Sequence, residues 1–280
     1  MKQLLPQDED LVEVVHKVDG SNAPSKDAKY HAPALKKGLL IIEMLANFPL
    51  GLSLTEIAKR LRYTVNEIFR MVITLQEQGY IQAGDDEKYK LTLKIFEIAH
   101  RQQPVHSIVT TALPLMQELA NRSLQSCHLA VYYAGRSMIV AQIDSPERWT
   151  FSVKVGSIVG LLDTSSGNVM LAFAGDEQRH RMLEEHTRWT GTPVAGDDEL
   201  YQRWAQIRES GSWSAKSQQT LGVTNLARPI FGQDGNVVAV LIVPFLERVY
   251  PGEEPDFNAV CGMLATTSAD ISRLMGHLIV

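Results

Sequence analysis

Residues 52–75, LSLTEIAKRLRYTVNEIFRMVITL, contain two short amphipathic patterns separated by about three residues. In each pattern, apolar side chains recur at positions i, i+3, i+4 and i+7, the spacing of one face of an α-helix. They are Leu54, Ile57, Ala58 and Leu61 in the first pattern, and Ile68, Met71, Val72 and Leu75 in the second. Thr64 and Glu67 have the T-x-x-E spacing of a capping box, which predicts where the second helix begins. Two helices joined this tightly predict a helix-turn-helix, whose second helix would enter the DNA major groove.

The polar face of the second helix is suited to reading bases. At about 100° per residue, Asn66 and Arg70 lie opposite the apolar stripe and one turn apart. Asn can pair with adenine and Arg with guanine through two hydrogen bonds, each pair discriminating by roughly 1–3 kcal/mol. For this helix taken alone, an ordinary solvent-exposed polar face is an equal alternative.

The flanking segments predict a three-helix head followed by a wing. Residues 34–49, ALKKGLLIIEMLANFP, predict a preceding helix with Leu35, Leu39, Ile42 and Ala46 on one apolar face. After Gly79, residues 80–81 and 88–91 predict a β-hairpin. Lys88 and Lys90 alternate with Tyr89, so both lysines can face a phosphate backbone while Tyr89 packs inward. A solvated hairpin tip is the alternative, but the order of three helices and a basic hairpin favours DNA binding.

Composition limits the class of protein. The chain has 280 residues with 45% hydrophobic content, enough for two globular domains. No apolar run approaches the ~20 residues of a membrane span, and residues 1–11 lack the apolar segment of a secretory signal. The two cysteines, Cys127 and Cys261, have no metal-site spacing and suit a reducing compartment, so we expect a cytoplasmic protein. The net charge is -5, but residues 33–101 carry ten Lys/Arg against eight Asp/Glu.

The chain is predicted to have four parts and an α+β fold. Residues 1–32 are polar and are expected to be a disordered arm. Residues 33–92 form the winged helix-turn-helix, residues 93–106 a linker helix ending before Pro104, and residues 107–280 a second domain. From residue 126 the apolar period changes to two, and 127–135, 137–143 and 149–157 are predicted strands. Further strands alternate with helices up to a closing helix over 257–279.

The second domain shows no catalytic, metal-binding or cofactor-binding motif. GSIVG at 156–160 is not the G-x-S-x-G of a nucleophile elbow, and no phosphate-binding glycine loop is present. His128, Trp213 and the pair Ser165 and Ser166 are candidates only for lining a pocket. The segment 163–167 leads into a helix, so its N–H groups could hold a carboxylate. Plain helix capping by Asp163 or Thr164 explains the same residues equally well.

Residues 34–275 together resemble the IclR family of bacterial transcriptional regulators. The similarity lies in the head already quoted, in VGSIVGLLDTSSGNVMLAF at 155–173, and in IRESGSWSAKSQQTLGVTNLARPIFGQDGNVVAVLIV at 207–243. The resemblance implies a GAF-like C-terminal domain that binds a small effector, and homodimers or homotetramers bound to a palindromic double-stranded DNA operator. We expect the head to contact DNA through Ser53, Arg62, Thr64, Val65, Asn66, Phe69, Arg70, Lys88 and Lys90.

The resemblance also implies a set of effector-contacting positions, and this chain departs from the family there. The positions are Phe151, Val159, Ser165, Ser166, Ala215, Val223, Asn225, Ile242 and Pro244. Family members that bind small organic acids often carry polar residues where this chain has Ala215, Ile242 and Pro244. A small dianion among these residues would be poorly compensated. We therefore expect an effector larger or more apolar than glyoxylate or pyruvate, such as an aromatic acid.

The head departs from the family as well. The turn has Arg62 where the family commonly has Gly, and Val65 stands where the recognition helix commonly begins with a basic residue. Two rival functions stay open, and the lost polar groups of the pocket favour the first. One is a DNA-binding regulator whose C-terminal domain is only a multimerisation scaffold. The other is an enzyme or small-molecule binding protein whose helical head serves for oligomerisation.

Overall fold

The structure, a computed structural model, describes residues 32–84, 86–100, 103–194, 196, 198–247 and 254–277; the side chains of residues 100, 103 and 104 are excepted. The predicted arm at residues 1–32 lies outside the described residues apart from Ala32. The chain divides into two compact units, Met1–Gln102 and Gln103–Val280, which we call the head and the C-terminal domain. Each is described separately.

The head has the predicted winged helix-turn-helix topology. Its elements are α1 (Pro33–Leu45), α2 (Leu54–Leu61), α3 (Val65–Glu77), β1 (Ile81–Ala83), β2 (Tyr89–Leu91) and α4 (Lys94–His100). Ile57 of α2 and Ile68 and Val72 of α3 are fully buried in one core with Ile41 of α1 and Ile81 of β1. The apolar stripes of residues 52–75 therefore pack as their spacing predicts.

The predicted apolar face of α1 is wrong. Leu35 and Leu39 are 64% and 50% exposed, whereas the helix buries Ile41, Met44 and Leu45. Because α1 carries apolar residues around most of its circumference, periodicity alone cannot select the buried face. Packing against α2 and α3 selects it instead.

The predicted linker helix over 93–106 corresponds to two described helical segments, α4 (Lys94–His100) and α5 (Gln103–Ser123). Residues 101 and 102 between them lie outside the described residues. The predicted end of this helix before Pro104 is wrong, because α5 contains Pro104 and continues to Ser123.

The C-terminal domain is built on one antiparallel sheet of six strands among the described residues. The strands are β3 (Cys127–Tyr133), β4 (Arg136–Ile143), β5 (Ile158–Val159), β6 (Trp213–Lys216), β7 (Val223–Phe231) and β8 (Val237–Leu246), in the spatial order β5-β4-β3-β8-β7-β6. The strand predicted over 149–157 is wrong, because only Ile158 and Val159 pair with β4. Gly156 turns the chain at φ +86° just before them.

Helices cover both faces of the sheet. They are α5 and α9 (Phe257–Leu274) on one face, and α6 (Ser165–Phe173), α7 (Asp176–Thr190) and α8 (Asp198–Ser210) on the other. Alternation along β8 sends Leu241 and Val243 to the first core and Val240 and Ile242 to the second. This is the predicted α+β fold with a winged head and an α/β second domain. No helix of the described residues is long and apolar enough to cross a membrane.

Candidate DNA-reading head and ligand chambers

Two capping boxes fix the start of both helices in the helix-turn-helix. At α3, the Thr64 hydroxyl oxygen accepts from the Glu67 backbone N–H at 3.3 Å, and the Glu67 carboxylate accepts from the Thr64 N–H at 2.8 Å. At α2, Ser53 and Glu56 form the same pair of bonds at 3.3 and 2.8 Å. Both hydroxyls also donate to the carboxylate of their own box, at 2.9 Å. Ser53 and Thr64, both predicted DNA contacts, therefore have a structural role as caps.

The outer face of α3 presents the predicted reading residues. Val65, Asn66, Phe69 and Arg70 are all exposed, whereas Ile68 and Val72 on the opposite face are fully buried. Phe69 is 47% exposed, an unusual position for a large aromatic side chain. Apolar contact with a thymine methyl group is one of the side-chain readouts available in the major groove. The four side chains thus form one exposed surface that combines polar and apolar groups, both of which are types that can contact base edges.

An ion pair neutralises the acidic residue near this surface. Lys37 on α1 places its Nζ 3.0 Å from Oε1 of Glu67 and 4.5 Å from the centre of the Tyr63 ring. The Thr64 backbone N–H, followed by the Lys37 ammonium, lowers the pKa of Glu67 to about 2. Glu67 is therefore ionised at neutral pH. Its charge is compensated within the head, so the carboxylate repels an approaching phosphate backbone less.

Arg62 ends α2 in a left-handed conformation. Its φ and ψ are 58° and 36°, and its N–H donates to the carbonyl oxygen of Lys59 at 3.2 Å. A non-glycine residue pays about 1–2 kcal/mol in this region because Cβ approaches the following carbonyl oxygen. The arginine side chain is exposed. The turn therefore carries a cation at a position where glycine would be less strained.

The wing is joined to the helix-turn-helix by backbone hydrogen bonds. Tyr89 of β2 donates to the carbonyl of Leu52 at 2.8 Å and accepts from the Leu52 N–H at 3.1 Å, while β1 pairs on its other side. Tyr89 packs against the core of the head, as predicted. Lys88 and Lys90 flank it and are half-buried, and the stem of Lys90 lies against Gly51.

In the C-terminal domain, a small cavity of about 70 Å³ lies between the sheet and the start of α6, and we call it the inner chamber. It is lined by six of the nine predicted effector positions: Phe151, Val159, Ser165, Ser166, Asn225 and Ile242. The start of α6 is capped by Thr164, whose hydroxyl oxygen accepts from Gly167 N–H at 3.2 Å and donates to the Gly160 carbonyl at 2.7 Å. A Cβ on Gly167 would lie 2.0 Å from the Leu161 carbonyl oxygen, so only glycine permits this close approach.

His128 of β3 also lines the inner chamber. It is only 8% exposed, pairs with Ile242 across the strands, and its buried Nδ1 has no hydrogen-bond partner among the described residues. Burial lowers the pKa of His128 to about 4, so the ring is neutral at pH 7. A buried ring nitrogen without a partner is costly, and such atoms in folded proteins call for an explanation.

A second cavity of about 430 Å³, the outer chamber, adjoins the first. The two share Asp163, Thr164, Ser165, Gln218 and Asn225 as lining residues. Ala215 lines the outer chamber, whereas Val223 and Pro244 line neither. Its further lining residues include Glu199, Gln202, Arg203, Gln206, Trp213 and Lys216.

Sequence reasoning missed most of the outer wall. Glu199, Gln202, Arg203 and Gln206 lie at i, i+3, i+4 and i+7 of α8, which is one polar face of that helix. This polar stripe was the available signal. It could not be assigned to a pocket because the wall opposite comes from β6, β7 and their connecting loop.

Comparison with known families settles the class of protein. The IclR helix-turn-helix domain matches residues 34–84, and the bacterial transcriptional regulator IclR C-terminal domain matches residues 101–273.

The chain belongs to the IclR family.

It is a DNA-binding transcriptional regulator of the helix-turn-helix type. Among curated IclR relatives, the regulator KdgR of Escherichia coli is 28% identical over 229 residues, covering 81% of this chain and 86% of KdgR. The E. coli regulator XynR is 25% identical over 248 residues, covering 87% of this chain and 97% of XynR. These relatives are regulators and not enzymes. Among the described residues, no group of three or more His, Cys, Asp or Glu side chains is placed to hold a metal ion.

Solved IclR structures share the fold. An IclR homologue from Microbacterium hydrocarbonoxydans, solved with 4-hydroxybenzoate, superposes with a TM-score of 0.70 at 21% identity, covering 86% of this chain and 98% of that chain. An IclR regulator from Alicyclobacillus acidocaldarius gives 0.66 at 20% identity, covering 88% and 100%. The two-domain architecture predicted from the sequence is therefore confirmed.

Proposed function

We propose that the inner and outer chambers form one effector site, and that a bound effector changes the affinity of the head for operator DNA. The observation that carries the proposal is His128, a buried polar side chain with an unpartnered Nδ1 in the wall of a cavity. A ligand that hydrogen-bonds this nitrogen would remove the cost of leaving it unpaired. A domain serving only as a multimerisation scaffold gives no reason to keep that cost.

The head supplies the DNA-reading half of the proposal. Asn66, Phe69 and Arg70 project together from α3 and read base edges in the major groove. Val65 contacts the same groove, and the cations Arg62, Lys88 and Lys90 contact phosphates. Ser53 and Thr64 position the helices and add backbone N–H groups near the DNA.

The proposed assembly is a homodimer or homotetramer acting on a palindromic operator in the cytoplasm. Two recognition helices about 34 Å apart would meet successive major grooves. An effector that favours one arrangement of the two heads would then shift operator affinity. A coupling of about 1–3 kcal/mol corresponds to a change of about 5–150-fold.

The effector is proposed to be larger than glyoxylate or pyruvate. The outer chamber of about 430 Å³ falls within the ~300–1,000 Å³ range of sites for drug-sized ligands. An aromatic acid is a candidate because Phe151, Ile139 and Ile242 give the inner chamber an apolar wall. The polar wall of the outer chamber favours a ligand more polar than an aromatic acid.

Fluorescence anisotropy with a labelled fragment of DNA upstream of the protein's own gene tests the proposal. We expect specific binding by the full-length protein, and a change of at least fivefold in affinity when an effector is added. Specific binding that no metabolite alters, in a panel of organic acids and sugars, would support the scaffold alternative. No specific binding would leave only the alternative of a small-molecule binding protein.

A further inference from the structure

We infer that the effector is a polyhydroxylated ligand of about monosaccharide size, a sugar or a sugar acid, that lies in the outer chamber with one protic group reaching His128 in the inner chamber. The inference rests on the proposed effector function. It is carried by the chemistry of the outer wall and by the unpartnered Nδ1 of His128.

The outer wall is rich in carboxamides. Five of them line it: Asn168, Gln202, Gln206, Gln218 and Asn225. The Asn168 amide is already hydrogen-bonded within the domain, to Leu162, Thr164 and Trp204, which leaves the other four for a ligand. Each amide offers one acceptor oxygen and two N–H donors, and a sugar hydroxyl both donates and accepts. Small-molecule sites are lined predominantly by hydrophobic and aromatic side chains. A wall with this many neutral hydrogen-bonding groups therefore matches a ligand that carries a hydroxyl on most of its carbons.

The amides come from two directions. Gln202 and Gln206 are exposed and four residues apart on α8, so they lie on the same side of that helix. Asn225 stands on β7, and Gln218 lies between β6 and β7. The half-buried indole of Trp213 on β6 lines the same chamber. A flat aromatic face provides rigid apolar contact area, which suits the C–H face of a sugar ring.

The charges of the outer wall cancel. Arg203 and Glu199 are paired on α8 at 3.4 Å, and Asp163 and Lys216 contribute one formal charge of each sign. A wall without excess positive charge compensates a small dianion poorly. It accepts a neutral sugar, or a sugar acid whose single carboxylate lies near Lys216.

His128 defines the closed end of the site. Its neutral ring has one nitrogen that donates and one that accepts, and the buried Nδ1 is unpartnered in the described structure. A hydroxyl can satisfy either role, since it is both donor and acceptor. A phenol hydroxyl could satisfy Nδ1 as well, so the preference over an aromatic acid rests on the carboxamides of the outer wall, which a benzene ring leaves unpaired.

Isothermal titration of the full-length protein tests the class of ligand. The panel contains D-glucose and D-xylose, D-gluconate and D-galacturonate, 4-hydroxybenzoate, and pyruvate. We expect binding by at least one sugar or sugar acid and none by the other two. Because the panel contains two neutral sugars and two sugar acids, it also shows which of these two classes binds. Binding of 4-hydroxybenzoate or pyruvate alone would overturn the inference while leaving the effector function standing. Binding by none of the six compounds would overturn both.

Matched variants test the site. Gln202→Met and Gln206→Met remove an amide at similar size and should each weaken binding of the sugar or sugar acid about fivefold or more, the range of one neutral hydrogen bond. Gln178→Met, on the exposed side of α7, is the control and should have no effect.

His128→Leu should weaken binding similarly, and His128→Asn should restore most of it because its side chain keeps a polar atom near Nδ1. Unchanged affinity in both glutamine variants, or equal affinities in the two histidine variants, would count against the inference.

Discussion

The ammonium nitrogen of Lys37 lies 3.0 Å from Oε1 of Glu67, which ties α1 to the first turn of the recognition helix. Glu67 belongs to the capping box of α3, so one carboxylate serves the helix start and the contact between helices together. Lys37 is 19% exposed and also packs on the ring of Tyr63. The head thus supplies its own countercharge to Glu67, which lies in the first turn of the predicted recognition helix.

Replacing Lys37 tests this countercharge. Lys37→Met should lower operator affinity about two- to fivefold, because an uncompensated carboxylate would then face the phosphates. The double variant Lys37→Met with Glu67→Gln should recover most of the loss. The measurement is anisotropy with labelled operator at low and moderate salt, where the loss should shrink as salt increases. A double variant that binds as poorly as the single one would refute the electrostatic explanation.

Variants of the left-handed Arg62 separate the effect of backbone strain on stability from the effect of the side-chain charge on DNA binding. Arg62→Gly should stabilise the head by about 1 kcal/mol, because glycine adopts φ +58° without the Cβ clash, and part of that gain is offset by unfolded-state entropy. Arg62→Ala keeps the strain and should give no such gain. Both should lose operator affinity and reduce the salt slope by about one unit, since both remove a cation that is proposed to contact phosphate. Hydrogen exchange over residues 54–77 measures the stability.

Alanine substitutions in the recognition helix and in the wing should affect DNA binding differently. Arg70→Ala should reduce discrimination between operator and random DNA by about 1–3 kcal/mol, the range of one bidentate base contact, while leaving the oligomer intact. Lys88→Ala and Lys90→Ala should weaken binding to operator and random DNA alike and lower the salt slope. Arg208→Ala on α8 is the control. Equal losses on both DNAs for Arg70→Ala would mean that Arg70 contacts phosphate instead of a base.

The buried His128 predicts acid sensitivity of the C-terminal domain. Its folded-state pKa is about 4, and its ordinary value is 6.5, so the unfolded chain takes up the proton first as pH falls. The free energy of unfolding should therefore decrease between about pH 6.5 and pH 4, by up to roughly 3 kcal/mol, and show no further contribution below pH 4.

Urea titrations at pH 7.0, 5.5 and 4.5 measure this effect through tryptophan fluorescence, because all four tryptophans lie in the C-terminal domain. His128→Asn should flatten the dependence. His180→Asn, which changes an exposed histidine on α7, should leave it unchanged. A wild-type slope that survives in His128→Asn would assign the acid sensitivity to other groups.

The head could be predicted from its sequence because its signals are local. The Thr64–Glu67 box, the short turn and the i, i+3, i+4, i+7 stripes all act within a few residues. The prediction failed where local signals conflict. Helix α1 is apolar on several sides, so tertiary packing decided that Leu35 and Leu39 stay exposed. A proline after a helical pattern predicts a helix end, yet Pro104 lies within α5.

The ligand site could be predicted only in part because it is assembled from distant segments. The small residues Ser165 and Ser166, and strand positions such as Asn225 and Ile242, were identified by resemblance and do line the inner chamber. Gln202 and Gln206 carry no motif, and they become wall residues only because α8 packs beside β6 and α6. The expectation of an effector larger or more apolar than glyoxylate or pyruvate rests on the inner-chamber positions alone and stays a prediction.

The hydrogen bonds between Leu52 and Tyr89 limit how far the wing can move relative to the helix-turn-helix. Because β2 is held by Leu52 on one side and by β1 on the other, the wing cannot swing away from α2 and α3 without breaking backbone bonds on that side. Arg62, Arg70, Lys88 and Lys90, the cations predicted to contact DNA, therefore stand on one packed and hydrogen-bonded unit. If an effector controls DNA binding as proposed, we expect it to move the head as a whole instead of rearranging its parts.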